Sequence, residues 1–172
     1  APVVLVISEI FGVHEHIADV AKRFARQGYL AIAPEMFVRQ GDAGSYGEMA
    51  KLMSEVISKV PDAQVMGDLD ATVVWAAANG GDTTRLFLMG HSAGAQITAL
   101  VAYDARYLAR QGLTPSVFAG YVGLSGPYDF VLDSKLLRAT FAGSAERERD
   151  AQPVNFVRRD VPRTLLAMGR DD

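Results

Sequence analysis

Five apolar runs alternate with helical patterns along this chain, and that alternation constrains its fold more than any other feature. The runs are PVVLVIS (2–8), YLAIAPE (29–35), RLFLMG (85–90), SVFAGYVGLSG (116–126) and RTLLAMG (163–169). Each is short and bounded by turn-forming residues, as buried strands are. Between the first two, Val13, Ile17, Val20, Ala21 and Phe24 recur at helical spacing, with Asp19, Lys22, Arg23 and Arg26 opposite them. Gly28 ends that helix. Further helices are expected over 46–60, in the longer stretch that follows, where Val65, Leu69, Val73 and Ala76 or Ala77 share a face, after Ser92, and over 133–143. The helix after Ser92 is apolar nearly all round, so it should be buried. The run ERERD (146–150) reads as a charged, solvated stretch. Parallel strands need crossovers and helices supply them. The pattern predicts α/β architecture: a doubly wound, mostly parallel five-stranded sheet whose strands are buried on both faces.

Composition narrows the function classes. The chain has 172 residues, the length of one ordinary domain. Its net charge is −3, and no basic stripe is interleaved with aromatics, so no nucleic-acid partner is expected. No apolar run reaches the roughly 18 residues that span a membrane, so no membrane partner is expected. The opening run lacks a basic flank and a cleavage signature, so it reads as a strand rather than a signal peptide. Cysteine is absent, which rules out disulfides, cysteine-ligated zinc and a thiol nucleophile. It also fits a cytoplasmic location. No metal site and no cofactor are expected.

The chemistry concentrates at Gly90-His91-Ser92-Ala93-Gly94, which fits G-x-S-x-G. The pattern falls between an expected strand and an expected helix. There a sharp turn lifts a serine hydroxyl to the C-terminal edge of the sheet, and bulky neighbours would clash. The following helix N-terminus favours an oxyanion. Ser92 is therefore the expected nucleophile. The competing reading is a glycine-rich turn that packs a helix closely or cradles a phosphate.

These residues resemble the α/β-hydrolase superfamily, and two branches of it. Residues 3 to about 85 are similar to dienelactone hydrolases through SEIFGVHEHI, QGYLAIAPEMF with RQGD after it, KVPDAQV, DLDATVVWAA and NGGD. From about residue 86 the chain resembles serine carboxylesterases instead, through GHSAGA, DARYL, GLSGPYDF, QPVNFV and the terminal GRDD. The first branch has cysteine at the elbow where this chain has Ser92. The change near 85–90 implies a composite chain.

The resemblance implies a strand order of 2-1-3-4-5, a truncated α/β-hydrolase core, and a small-molecule ester or lactone as substrate. It places an oxyanion hole at the backbone N–H groups of Ala93 and Ile10. Glu9 matches a glutamate that interacts with the resting thiol in dienelactone hydrolases. Arg39 matches an arginine that helps hold a substrate carboxylate. The acid is expected at Asp172, beside Asp171, with Asp129 as the alternative.

The base is the missing part. The chain has three histidines, His14, His16 and His91. The superfamily order of Ser, acid, His puts the base after Asp172. Residues 1–172 are thus expected to form a single domain that lacks the usual N-terminal strands and the His-bearing segment, with impaired hydrolysis as the result. His91 should point away from Ser92. His14 and His16, two apart on a helix, should face about 200° apart. The alternative function is a non-catalytic flavodoxin-like scaffold or a small-anion-binding domain.

Overall fold

The computed structural model describes residues 1–141 and 143–170. The strands are β1 (Pro2–Ile7), β2 (Leu30–Ile32), β3 (Asp82–His91), β4 (Phe118–Leu124) and β5 (Thr164–Ala167). The helices are α1 (Glu15–Arg26), α2 (Met49–Glu55), α3 (Asp62–Ala78), α4 (Ala93–Tyr103), α5 (Ala105–Ala109), α6 (Lys135–Phe141) and α7 (Ala145–Asp150). The five strands form one sheet in the order β2-β1-β3-β4-β5. All four pairings are parallel, as the alternation of strand and helix requires.

The two faces of the sheet carry two cores. Side chains alternate along a strand, so Val3, Leu5 and Ile7 of β1 join the larger cluster with Leu69 of α3 and Ala99 of α4. Val4 and Val6 point the other way and pack with Ile17 of α1 and Met89 of β3. Val20, Ala21 and Phe24 complete that smaller cluster, which is the apolar face read from the helical spacing. Helix α4 is buried along most of its length, Gly94, Ala95, Gln96, Thr98 and Ala99 included.

Several elements differ from the sequence reading. The second run forms a strand of only three residues, half-buried rather than buried, because β2 pairs with β1 alone. All four residues of β5 are exposed, and among the described residues that strand pairs with β4 alone. The expectation of strands buried on both faces therefore fails at both edges. Strand β3 starts three residues early, at Asp82, whose N–H donates to the Ala1 carbonyl (2.7 Å). The charged stretch at 146–150 is helix α7. Ser144 caps it by accepting from the Arg147 N–H (3.2 Å), and Glu146 lies in its first turn, where the helix dipole favours an acidic residue. Among the described residues no helix is long and apolar enough to cross a membrane.

Candidate functional site

The end of β3 and the start of α4 form the turn that the G-x-S-x-G spacing implies. Ser92 has φ 51° and ψ −120°, in the left-handed half of backbone space where non-glycine residues are rare. Its N–H donates to the Leu124 carbonyl at the end of β4 (2.9 Å), which fixes the turn against the neighbouring strand. Glycine is obligatory on both sides. A Cβ on Gly90 would collide with the backbone of Gly94, and one on Gly94 would collide with the carbonyls of Ile7 and Ser8. The first turn of α4 thus lies directly on the end of β1.

The two residues expected to supply oxyanion donors lie beyond the ends of adjacent strands. The β1–β3 register ends at Ile7↔Gly90, so Ile10 and Ala93 each lie three residues past it, at the C-terminal edge of two adjacent strands. Ala93 opens α4, where helix geometry supplies no intrahelical acceptor for its N–H. Ile10 follows in the loop to α1 and is half-buried.

Glu9 is the hub of this edge. Its Oε1 pairs with His14 Nε2, and its Oε2 lies 3.4 Å from His91 Nδ1. Its side chain is 12% exposed. Burial alone would push the carboxyl pKa up. Hydrogen bonds from His14, the backbone and His91, with the attraction of His14, bring it below the ordinary glutamate range. Sequence spacing gave no sign of the His91 contact, because Glu9 and His91 meet only through the adjacency of β1 and β3.

The other predicted residues fall as follows. Arg39 is half exposed and paired with Asp68 of α3. Asp129 is exposed in a bend after β4. Asp171 and Asp172 lie outside the described residues. His14 and His16 do not face opposite ways: their rings stack with centroids 6.3 Å apart and an interplanar angle of 20°. The reason is that α1 begins at Glu15, so His14 is an extended cap residue (ψ 179°) and not part of the helix. No described imidazole makes a hydrogen bond to the Ser92 hydroxyl.

A cleft of about 590 Å³ opens beside His14, between the β1–α1 loop and the segment after β2. Glu35, which the sequence reading passed over, lines it. Its carboxylate accepts the N–H of Val13 (2.7 Å) and of Phe37 (3.3 Å). A signal was available: Glu35 stands just past the C-terminal end of β2, where open parallel sheets place their ligand sites. Among the described residues no group of three His, Asp or Glu side chains is arranged to hold a metal ion.

Comparison with known proteins matches residues 1–111 to the dienelactone hydrolase family. A Yersinia pestis protein described as a "Putative carboxymethylenebutenolidase" is 54% identical over 101 residues, 59% of this chain and 38% of that protein. A Methylorubrum extorquens protein of the same description is 54% identical over 102 residues, 59% of this chain and 35% of its own length. The chain thus spans well under half of these relatives. Among solved structures, a "Putative Dienelactone Hydrolase" from Klebsiella pneumoniae superposes with a TM-score of 0.66 at 33% identity, covering 96% of this chain and 73% of that one. A lipase/esterase from Lactobacillus plantarum gives a TM-score of 0.68 at 14% identity, covering 99% of this chain and 69% of that one, a likeness of fold.

Proposed function

We propose a function from one premise: the chain belongs to the dienelactone hydrolase family. The function is hydrolysis of a carboxylic ester or lactone, with Ser92 as nucleophile, in a single α/β-hydrolase-like domain. The observation that carries it is the backbone of Ser92, a serine held at φ 51° between two glycines that no larger residue can replace. Such strain persists only where the surrounding structure enforces it, and it clusters at reactive positions.

In this reading the Ser92 Oγ attacks the ester carbonyl carbon. The N–H groups of Ala93 and Ile10 stabilise the resulting oxyanion, and the leaving oxygen departs, taking up through water the proton that Ser92 Oγ loses. Water then releases the acid from the acyl-serine. Asp172 is the proposed acid, on resemblance alone. Arg39 is the proposed anchor for a substrate carboxylate, which would have to compete with Asp68. Glu9 lies next to the oxyanion loop and contacts substrate only if its imidazole partners give way. A composite origin, with the change of branch near 85–90, rests on the motifs GHSAGA and GLSGPYDF; the family match runs past that point to residue 111.

The chain should be a weak hydrolase. Two of its three imidazoles are held by Glu9 and the third is stacked on His14, so proton transfer at Ser92 lacks a described partner. Loss of one triad member elsewhere leaves roughly 10³–10⁴-fold acceleration over water. Hydrolysis of an activated aryl ester should be measurable, and of an alkyl ester not, because alkoxides need a general acid to leave. Ser92→Ala should remove most of the aryl esterase activity. An unchanged rate in Ser92→Ala would show that Ser92 is not the nucleophile, and no measurable hydrolysis by the folded parent chain would favour the anion-binding scaffold.

A further inference from the structure

The imidazole of His14 has the geometry of a reactive group in its own right. It lines the 590 Å³ cleft, whose wall also includes Phe11, Val13, Val38, Glu35 and Asp42. It occupies the cap position of α1 yet makes no capping hydrogen bond. Its Nε2 is instead paired with Glu9. An ionised carboxylate only accepts, so in the neutral ring Nε2 carries the hydrogen and Nδ1 carries the lone pair. Glu9 itself stays ionised near neutrality, because its pKa lies below the ordinary range. A carboxylate that orients one nitrogen while the other is left as a base is the arrangement that activates histidine in hydrolases.

We propose that His14 Nδ1, oriented by Glu9, is a second acyl-accepting site that works without Ser92 and takes neutral aryl esters from the cleft. Nδ1 attacks the ester carbonyl carbon, and the bond from that carbon to the aryl oxygen breaks, releasing aryloxide with its electron pair. The Nε2 proton passes to Glu9, leaving a neutral acyl-imidazole. Water adds to the acyl carbon and gives one proton to the aryloxide. The C–N bond then breaks toward Nδ1, the free acid leaves, and Glu9 returns the proton to Nε2.

The cleft also sets the charge of the substrate. Glu35 faces it with a carboxylate held by two backbone N–H groups, and Asp42 with one that accepts the Gly44 N–H (3.1 Å). Arg39, the cation of the neighbouring loop, is engaged by Asp68. Two like charges on the wall of the cleft disfavour an anionic ester, so a neutral acetate ester should react faster than a carboxylate-bearing one by about tenfold. This is opposite to the preference that an anchoring Arg39 would give the Ser92 site, so the two sites are separable by substrate charge.

The test uses the Ser92→Ala chain with para-nitrophenyl acetate, which removes the serine route first. Adding His14→Gln should lower the remaining release of nitrophenol about tenfold, whereas adding His16→Gln should leave it unchanged. Acid-quenched peptide mapping should find the acetyl group on the peptide that carries His14. Glu9→Gln should slow the reaction and Glu9→Asp should recover part of it, with circular dichroism confirming that each variant is folded. Equal rates in Ser92→Ala with and without His14→Gln would overturn the proposal, as would an equal loss from His16→Gln, which would mark ordinary surface imidazole. Neither result bears on Ser92, whose role is read from the effect of Ser92→Ala on the parent chain.

Discussion

Strands β1 and β5 start from similar sequence and end in different surroundings. β1 carries PVVLVI between β2 and β3, and from Val3 to Ile7 every residue is buried. β5 carries TLLA, pairs among the described residues only with β4, and is exposed at every residue. The same apolar character that fills two cores in β1 leaves Leu165 61% and Leu166 48% exposed in β5. The lesson is that an apolar run specifies a strand, while the neighbours on both edges and both faces decide whether it is core. The site follows the same division. Its elbow and its Glu9 hub rest on the packed end of β1, and α4 touches that end through Gly94.

The largest expected effect tests that contrast directly. Leu5 is 1% exposed in the main core, so Leu5→Ala should cost about 3–5 kcal/mol by urea titration. The same truncation at Leu166 should stay within about 0.5 kcal/mol, because little is lost from an exposed site. Similar losses at both would show that β5 is covered in solution, and the contrast would then fail.

A smaller effect of opposite sign is expected at the elbow. Ser92 stores backbone strain at φ 51°, and glycine relieves it at some cost in chain entropy. Ser92→Gly should therefore stabilise the fold by about 1 kcal/mol while removing the hydroxyl. A destabilised variant would mean that the serine side chain, and not the turn, holds this conformation.

Much of the fold was legible because it depends on local patterns. The five strands, the α1 face and the buried α4 follow from periodicity, and the Ser92 turn follows from two glycines at fixed spacing. What escaped was set by tertiary placement. The exposure of β5 and the half-burial of β2 come from their places at the two edges of the sheet. The stacking of His14 on His16 comes from where α1 starts, which the pattern alone did not place. The link from Glu9 to His91 joins residues 82 apart along the chain, and only the pairing of β1 with β3 brings them together. Helix α7 was hidden by its charge run, although Ser144 is a legible cap.

The central claim is that the turn at Ser92 presents a nucleophile, and covalent labelling reads it most directly. The chain is incubated with an aryl phosphonate ester and digested, and the adduct is mapped by mass spectrometry. Slow labelling confined to Ser92, and absent from Ser92→Ala, is the predicted result. A folded chain that never acquires the adduct at Ser92, or acquires it equally in Ser92→Ala, would contradict the account.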